Sequence, residues 1–330
     1  MARQATIKKS ELTKIPFIDS ENIRGRVLTT LTFFEKGEWQ MWLPLPTGLT
    51  RMKGEPVEAD YFAREPEKDT DIYLDFLNFM TQRACWSDAM KFIDGIRNDI
   101  HNLGASLGKL DLFHRSYADP RLEVSRFAST EIEYIFGVCR SLFDLLQAVI
   151  ATLWRRIELF DKSMKKQHQL PKSFRSMVLC NKELRTVESI QTRFHVPVEL
   201  ASFYYGHGSF FQVLRRYRDD VVHSGKDFAS IFVTEKGFAV NADVQPFASF
   251  GVWNEEHMLP NRLASLRPVI AHVITETLFA CEDFAKTIQM IIRFPPEIAP
   301  GFRLFLRGYH NNQLHAMKDV LKNCEWWEAG

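Results

Sequence analysis

Two side chains in the hexapeptide Arg218-Asp219-Asp220-Val221-Val222-His223 are suited to acid–base work beside an anion. The imidazole of His223 titrates near neutrality and can take or give a proton. The guanidinium of Arg218 stays charged and forks onto phosphate oxygens. Together they can move a proton and steady developing charge at phosphorus without a metal. Spacing limits how they can meet. Residues five apart on an ideal helix point about 140° away from each other. Convergence on one phosphate therefore requires the helix to loosen near His223, or a second copy of the chain to contribute. Ser224-Gly225 is a helix-stop signal and permits the first. An ordinary helix terminus would use the same residues differently, with His223 capping carbonyls and Arg218 paired to a neighbouring acid.

Other residues could join this chemistry. Arg215 and Arg216 precede the hexapeptide and could hold flanking phosphates, or lie on a solvated helix face. Tyr204, Tyr205 and Tyr217 could stack on bases, although aromatics at helical spacing are more often core. His207 stands between two glycines and reads as a loop histidine. A second near-match, Arg97-Asn98-Asp99-Ile100-His101, is one residue shorter, with its ends on one helix face. No His, Cys, Asp or Glu cluster has metal-ligand spacing, so no metal is expected. No phosphate-binding glycine loop or nucleophile elbow appears, and no cofactor is expected.

The positioning elements follow from periodicity. Val27–Phe34 and Trp39–Leu43 flank Glu-Lys-Gly-Glu and read as a β-hairpin; the charged, Pro-punctuated stretch to Asp69 reads as a loop or linker. Helical patterning begins near Thr70, with Ile72, Phe76, Phe79 and Met80 on one face. Ile132 to Leu153 predicts a helix of many turns. A shorter helix covers Lys182–Arg193, and another opens after Pro197, is interrupted at Gly206-His207-Gly208 and resumes through His223. Ser230–Ala242 forms a second hairpin with a positive φ at Gly237. Helices follow over Leu259–Arg293 and Gly301–Cys324. The expected fold class is mainly α, an up-and-down helical bundle with two small β-hairpins. Residues 1–69 would be an N-terminal hairpin and linker segment, and 70–330 a helical domain with its bundle core at about 120–294.

The hexapeptide resembles the signature of HEPN domains, in which an Arg is followed by Asn, Asp or His and, a few residues on, by a His. That family is an all-helical up-and-down bundle with its motif near the end of a helix, so the resemblance covers roughly half of this chain and leaves the segment before residue 70 unexplained. The resemblance implies a metal-independent endoribonuclease whose site forms at a homodimer interface. His223 would be general base or acid, Arg218 would stabilise the phosphate and transition state, and Asp219 would orient Arg218 or groups of the second copy. RNA is the implied substrate. A role as a toxin or antiviral defence effector, and a neutralising or activating protein partner, belong to the same implication. A non-catalytic helical scaffold or RNA-binding protein would keep the bundle and lose the activity.

Composition is compatible with either reading. The 330 residues are 45% hydrophobic and 25% charged, enough for a sizeable core. Lys plus Arg number 42 against 41 Asp plus Glu, so no global field recruits nucleic acid or a membrane. The five scattered cysteines fit a reducing compartment. No signal peptide or spanning stretch is read from the sequence, and a cytoplasmic location is expected.

Overall fold

The computed structural model describes residues 9–46, 48–119, 121–164, 169–224 and 230–327, with the side chains of 9 and 218–224 outside the description. In chain order the elements are α1 (Lys9–Leu12), β1 (Thr32–Glu35), β2 (Glu38–Leu45), β3 (Gly48–Met52), β4 (Ala59–Ala63) and β5 (Ile72–Tyr73). Then come α2 (Asp75–Arg83), α3 (Met90–Arg115), α4 (Val124–Leu153), α5 (Phe174–Val178), β6 (Leu179–Cys180), β7 (Glu183–Leu184), α6 (Val187–Phe194) and α7 (Val198–Ser224). The chain continues through β8 (Phe232–Thr234), β9 (Gly237–Asn241), β10 (Leu263–Ser265), α8 (Arg267–Ile291), β11 (Arg303–Arg307) and α9 (Asn311–Asn323).

The expectation of a mainly α bundle with two hairpins is overturned. About 49% of the described residues are helical, and a six-stranded mixed sheet shares the molecule with two smaller sheets. The large sheet runs β3-β2-β1-β4-β11-β5. β1 and β4 are parallel, with Phe33 opposite Phe62, and the remaining pairs are antiparallel. β4 lies in the stretch expected to be a loop, and β11 occupies the start of what was expected to be the last helix. Ile72, placed on a helical face by its spacing, is in β5. These strands are short and bounded by Pro, Gly or charge, so period alone cannot identify them. They become strands because they pair across more than 200 residues of chain: Phe305 of β11 stands opposite Tyr61 and Tyr73.

Alternation then sorts the sheet's two faces. Phe33 and Phe62 point inward, with their rings stacked 5.4 Å apart. Tyr61, Ala63 and Phe305 point outward and form a small second core with Phe34 and Trp39. Arg307 closes that face. Its guanidinium lies 4.5 Å from the Trp39 ring and pairs with Glu55, Glu67 and Asp71. On the inner side, Gln82 of α2 donates to the carbonyls of Ala299 and Phe302 and accepts from the Ala299 N–H. Arg26 donates to four carbonyls, those of Asn22, Ile23, Gln82 and Pro296. These bonds satisfy backbone that would otherwise be buried unpaired.

The helical layer follows the apolar period more directly. Ile132, Ile135, Phe136, Cys139, Leu142, Phe143, Leu146, Val149, Ile150 and Leu153 are all buried, as one face of α4 requires. α7 runs antiparallel to α4: Tyr204 donates to Gln147 at 2.5 Å, Phe211 meets Phe143, and Tyr217 meets Phe136 at 4.3 Å. α8 packs against both α4 and α7, with Phe203 of α7 against Phe284. Among the described residues, α4 alone is long and apolar enough to cross a membrane by length and composition, and 56% of that stretch is buried inside the protein. Its apolarity is that of a central core helix.

Candidate functional site

The hexapeptide occupies the last two turns of α7. The backbone of Arg218, Asp219 and His223 is helical there, and their side chains lie outside the described residues. The helix that carries them has no break at Gly206-His207-Gly208, where the sequence suggested one. A Cβ at Gly208 would sit 3.0 Å from Leu184 and 3.5 Å from Val178, so glycine lets the β6–β7 hairpin approach α7 closely. His207 is not a loop residue. Its Nε2 lies 2.8 Å from Oδ2 of Asp283 on α8, and its ring sits between Phe203 and Phe279.

The flanking candidates separate by exposure. Arg216 is exposed and Arg215 is half-buried with an interaction of its own. Tyr204 and Tyr217 are buried core residues, and burial pushes both phenols far above their ordinary range. Tyr205 is 55% exposed and is the one tyrosine of the three open to a planar ligand. One titratable group in this layer had no motif to reveal it. His272 of α8 is half-buried, with Phe250 and Phe210 edge-on at 5.6 and 6.1 Å. Burial lowers its pKa, against the opposing charge of Glu276. The only signal in the sequence was a histidine on a helical face.

The shorter near-match does converge, on an acid rather than on open space. Arg97 and His101, one turn apart on α3, both reach Asp60 of β4, at 2.9 and 3.3 Å. Arg97 also donates to Thr29 and Thr30 and pairs with Asp94. Its guanidinium is 6% exposed and its donors are engaged, so it is not open to a phosphate. Sequence reasoning missed Asp60 because the residues around it read as linker.

No group of His, Cys, Asp or Glu among the described residues is placed to hold a metal ion. No protein-family model, curated protein or solved structure matches this chain.

Proposed function

We propose that this chain is a metal-independent endoribonuclease of HEPN type, acting as a homodimer on RNA. The observation that carries this reading is the place of the hexapeptide, at the end of a 27-residue helix that runs antiparallel to α4 and also packs on α8. That is the setting in which the HEPN signature is found. The six-stranded sheet lies beyond what the resemblance covers.

In this reading the ribose 2′-oxygen attacks phosphorus and the bond to the 5′-oxygen breaks. One imidazole takes the 2′-proton and an acid returns a proton to the leaving oxygen, giving a cyclic phosphate and a 5′-hydroxyl. His223 is base or acid, Arg218 holds the phosphorane oxygens, and Asp219 orients the guanidinium. Arg215 and Arg216 would meet flanking phosphates, Arg216 being the more accessible. Two copies bring two such sets together, which answers the divergence of residues five apart on one helix.

The test is cleavage of total RNA in EDTA by wild type beside His223→Ala. Wild-type fragments ending in cyclic phosphate, absent with the mutant, are expected, together with a dimer in solution. Equal cleavage by both proteins, or none by a folded dimeric wild type, would overturn the reading in favour of a non-catalytic scaffold. A toxin or antiviral role would appear as growth arrest on expression of wild type and not of His223→Ala.

A further inference from the structure

We infer that Asp60, Arg97 and His101 form a proton-sensitive staple that fastens the six-stranded sheet to α3. The three residues are 14%, 6% and 18% exposed, so solvent screens them little. Asp60 divides its oxygens: Oδ2 accepts from Nη1 of Arg97 and Oδ1 faces Nε2 of His101. Arg97 extends the fastening to the segment leading into β1 through the hydroxyls of Thr29 and Thr30, at 2.5 and 2.7 Å. The other edge of the His101 ring abuts the turn between β11 and α9, where a Cβ on Gly308 would sit 3.3 Å from Nδ1. The imidazole therefore stands where α3, β4 and the C-terminal turn meet.

The groups around it decide the sign. Asp60 faces the ring from β4, Glu58 just before that strand adds its charge, Arg97 adds its own from the preceding turn of α3, and the neighbouring Gly308 turn brings backbone. His310, the next titratable group along that turn, packs over Gly104 and Gly108 further along α3. Burial alone would lower the pKa of His101; the hydrogen bond and charge of Asp60, helped by Glu58 and opposed by Arg97, outweigh it and raise the pKa. A raised pKa means the imidazolium is favoured by folding. Its contribution is complete below the pKa of free imidazole and is lost as pH rises through the folded value. In mild acid Asp60 is held by two cations, and in mild alkali by Arg97 alone.

Thermal unfolding of wild type and His101→Gln between about pH 5.5 and about pH 8.5 tests this. The wild type is expected to melt about 2 °C or more above the variant at the acid end, with the gap closing towards the alkaline end. A gap that stays constant across that range overturns the inference. An NMR titration of the wild-type imidazoles, with His101 assigned by backbone-to-ring correlations in the wild-type protein, gives a second reading. A His101 pKa above that of free imidazole supports the staple, and one at or below it overturns it. The wild-type titration decides the matter even where the variant fails to fold.

Discussion

His207 and Asp283 join two long helices through a 2.8 Å contact between Nε2 and Oδ2, with the imidazole 11% and the carboxylate 40% exposed. The contact sits where a glycine-flanked histidine suggested a break in α7. Its geometry makes it a fastening along the α7–α8 seam, away from the end of α7 that carries the hexapeptide.

His207→Ala should cost about 1–2 kcal/mol, because the charge-assisted hydrogen bond and packing against Phe203 and Phe279 are both lost. Asp283→Asn should cost less, since water reaches that carboxylate already. Urea denaturation of the two variants gives the comparison. On the proposed ribonuclease reading, RNA cleavage by His207→Ala should persist under conditions where His223→Ala has none; equal loss from folded variants would count against His223 as the acting imidazole.

Arg307→Met should be the most damaging of these changes, at about 3–5 kcal/mol. Asp71 is 2% exposed in its side chain and would be left without its buried counter-charge, Glu67 would lose its ion pair, and Glu55 would keep only Lys68. Burial is what raises the Asp71 carboxyl, and the Tyr61 hydroxyl donates to it at 2.6 Å. Circular dichroism melts should show early loss of the sheet signal. A melt within a degree of wild type would show that the cluster is dispensable.

Tyr204→Phe removes one oxygen and should cost about 1–2 kcal/mol. The hydroxyl is fully buried and donates to Gln147, whose amide in turn donates to the Pro171 carbonyl at 2.6 Å. Differential scanning calorimetry is the direct measurement. A cavity is not created, so a larger loss would point to wider rearrangement of the α4–α7 seam.

Asp99→Asn should stabilise the protein at neutral pH by about 0.5 kcal/mol, allowing for solvent screening of this half-buried site. One carboxylate oxygen of Asp99 is buried without a hydrogen-bond partner. Burial raises the carboxyl's pKa, against a hydrogen bond from Ser141. A raised carboxyl pKa penalises folding when the group is charged, and the penalty disappears as pH falls through the folded value. The advantage of the variant should therefore shrink towards about pH 4. An advantage that grew with acidity would reverse the assignment.

Several elements were legible because their signals are local. The 3.6-residue period from Ile132 to Leu153 makes α4 a helix wherever it packs. Val196-Pro197 marks the far end of α6, where His195 takes a φ of +48°, but the helix expected from Lys182 begins only at Val187, after β7 and a Thr186 cap whose side chain accepts from the Ser189 N–H. The second hairpin turns as expected at Gly237, with a φ of +125° and Trp327 filling the space a Cβ would need. The hexapeptide was visible for the same reason: six consecutive residues carry it.

By itself, then, the sequence determined the long amphipathic helices, the two tight turns and the residue types available for chemistry, since each depends on neighbours a few positions apart. Tertiary structure decided that Ala59–Ala63 and Arg303–Arg307 are adjacent strands, because a strand is stabilised by partners that can lie anywhere along the chain. It decided that α7 continues through Gly206 and Gly208, where packing against Leu184 and Val178 outweighs glycine's local cost. It also decided the company Arg97 and His101 keep. Asp60 is about forty residues away along the chain, and only the closing of the sheet on α3 brings its carboxylate between them.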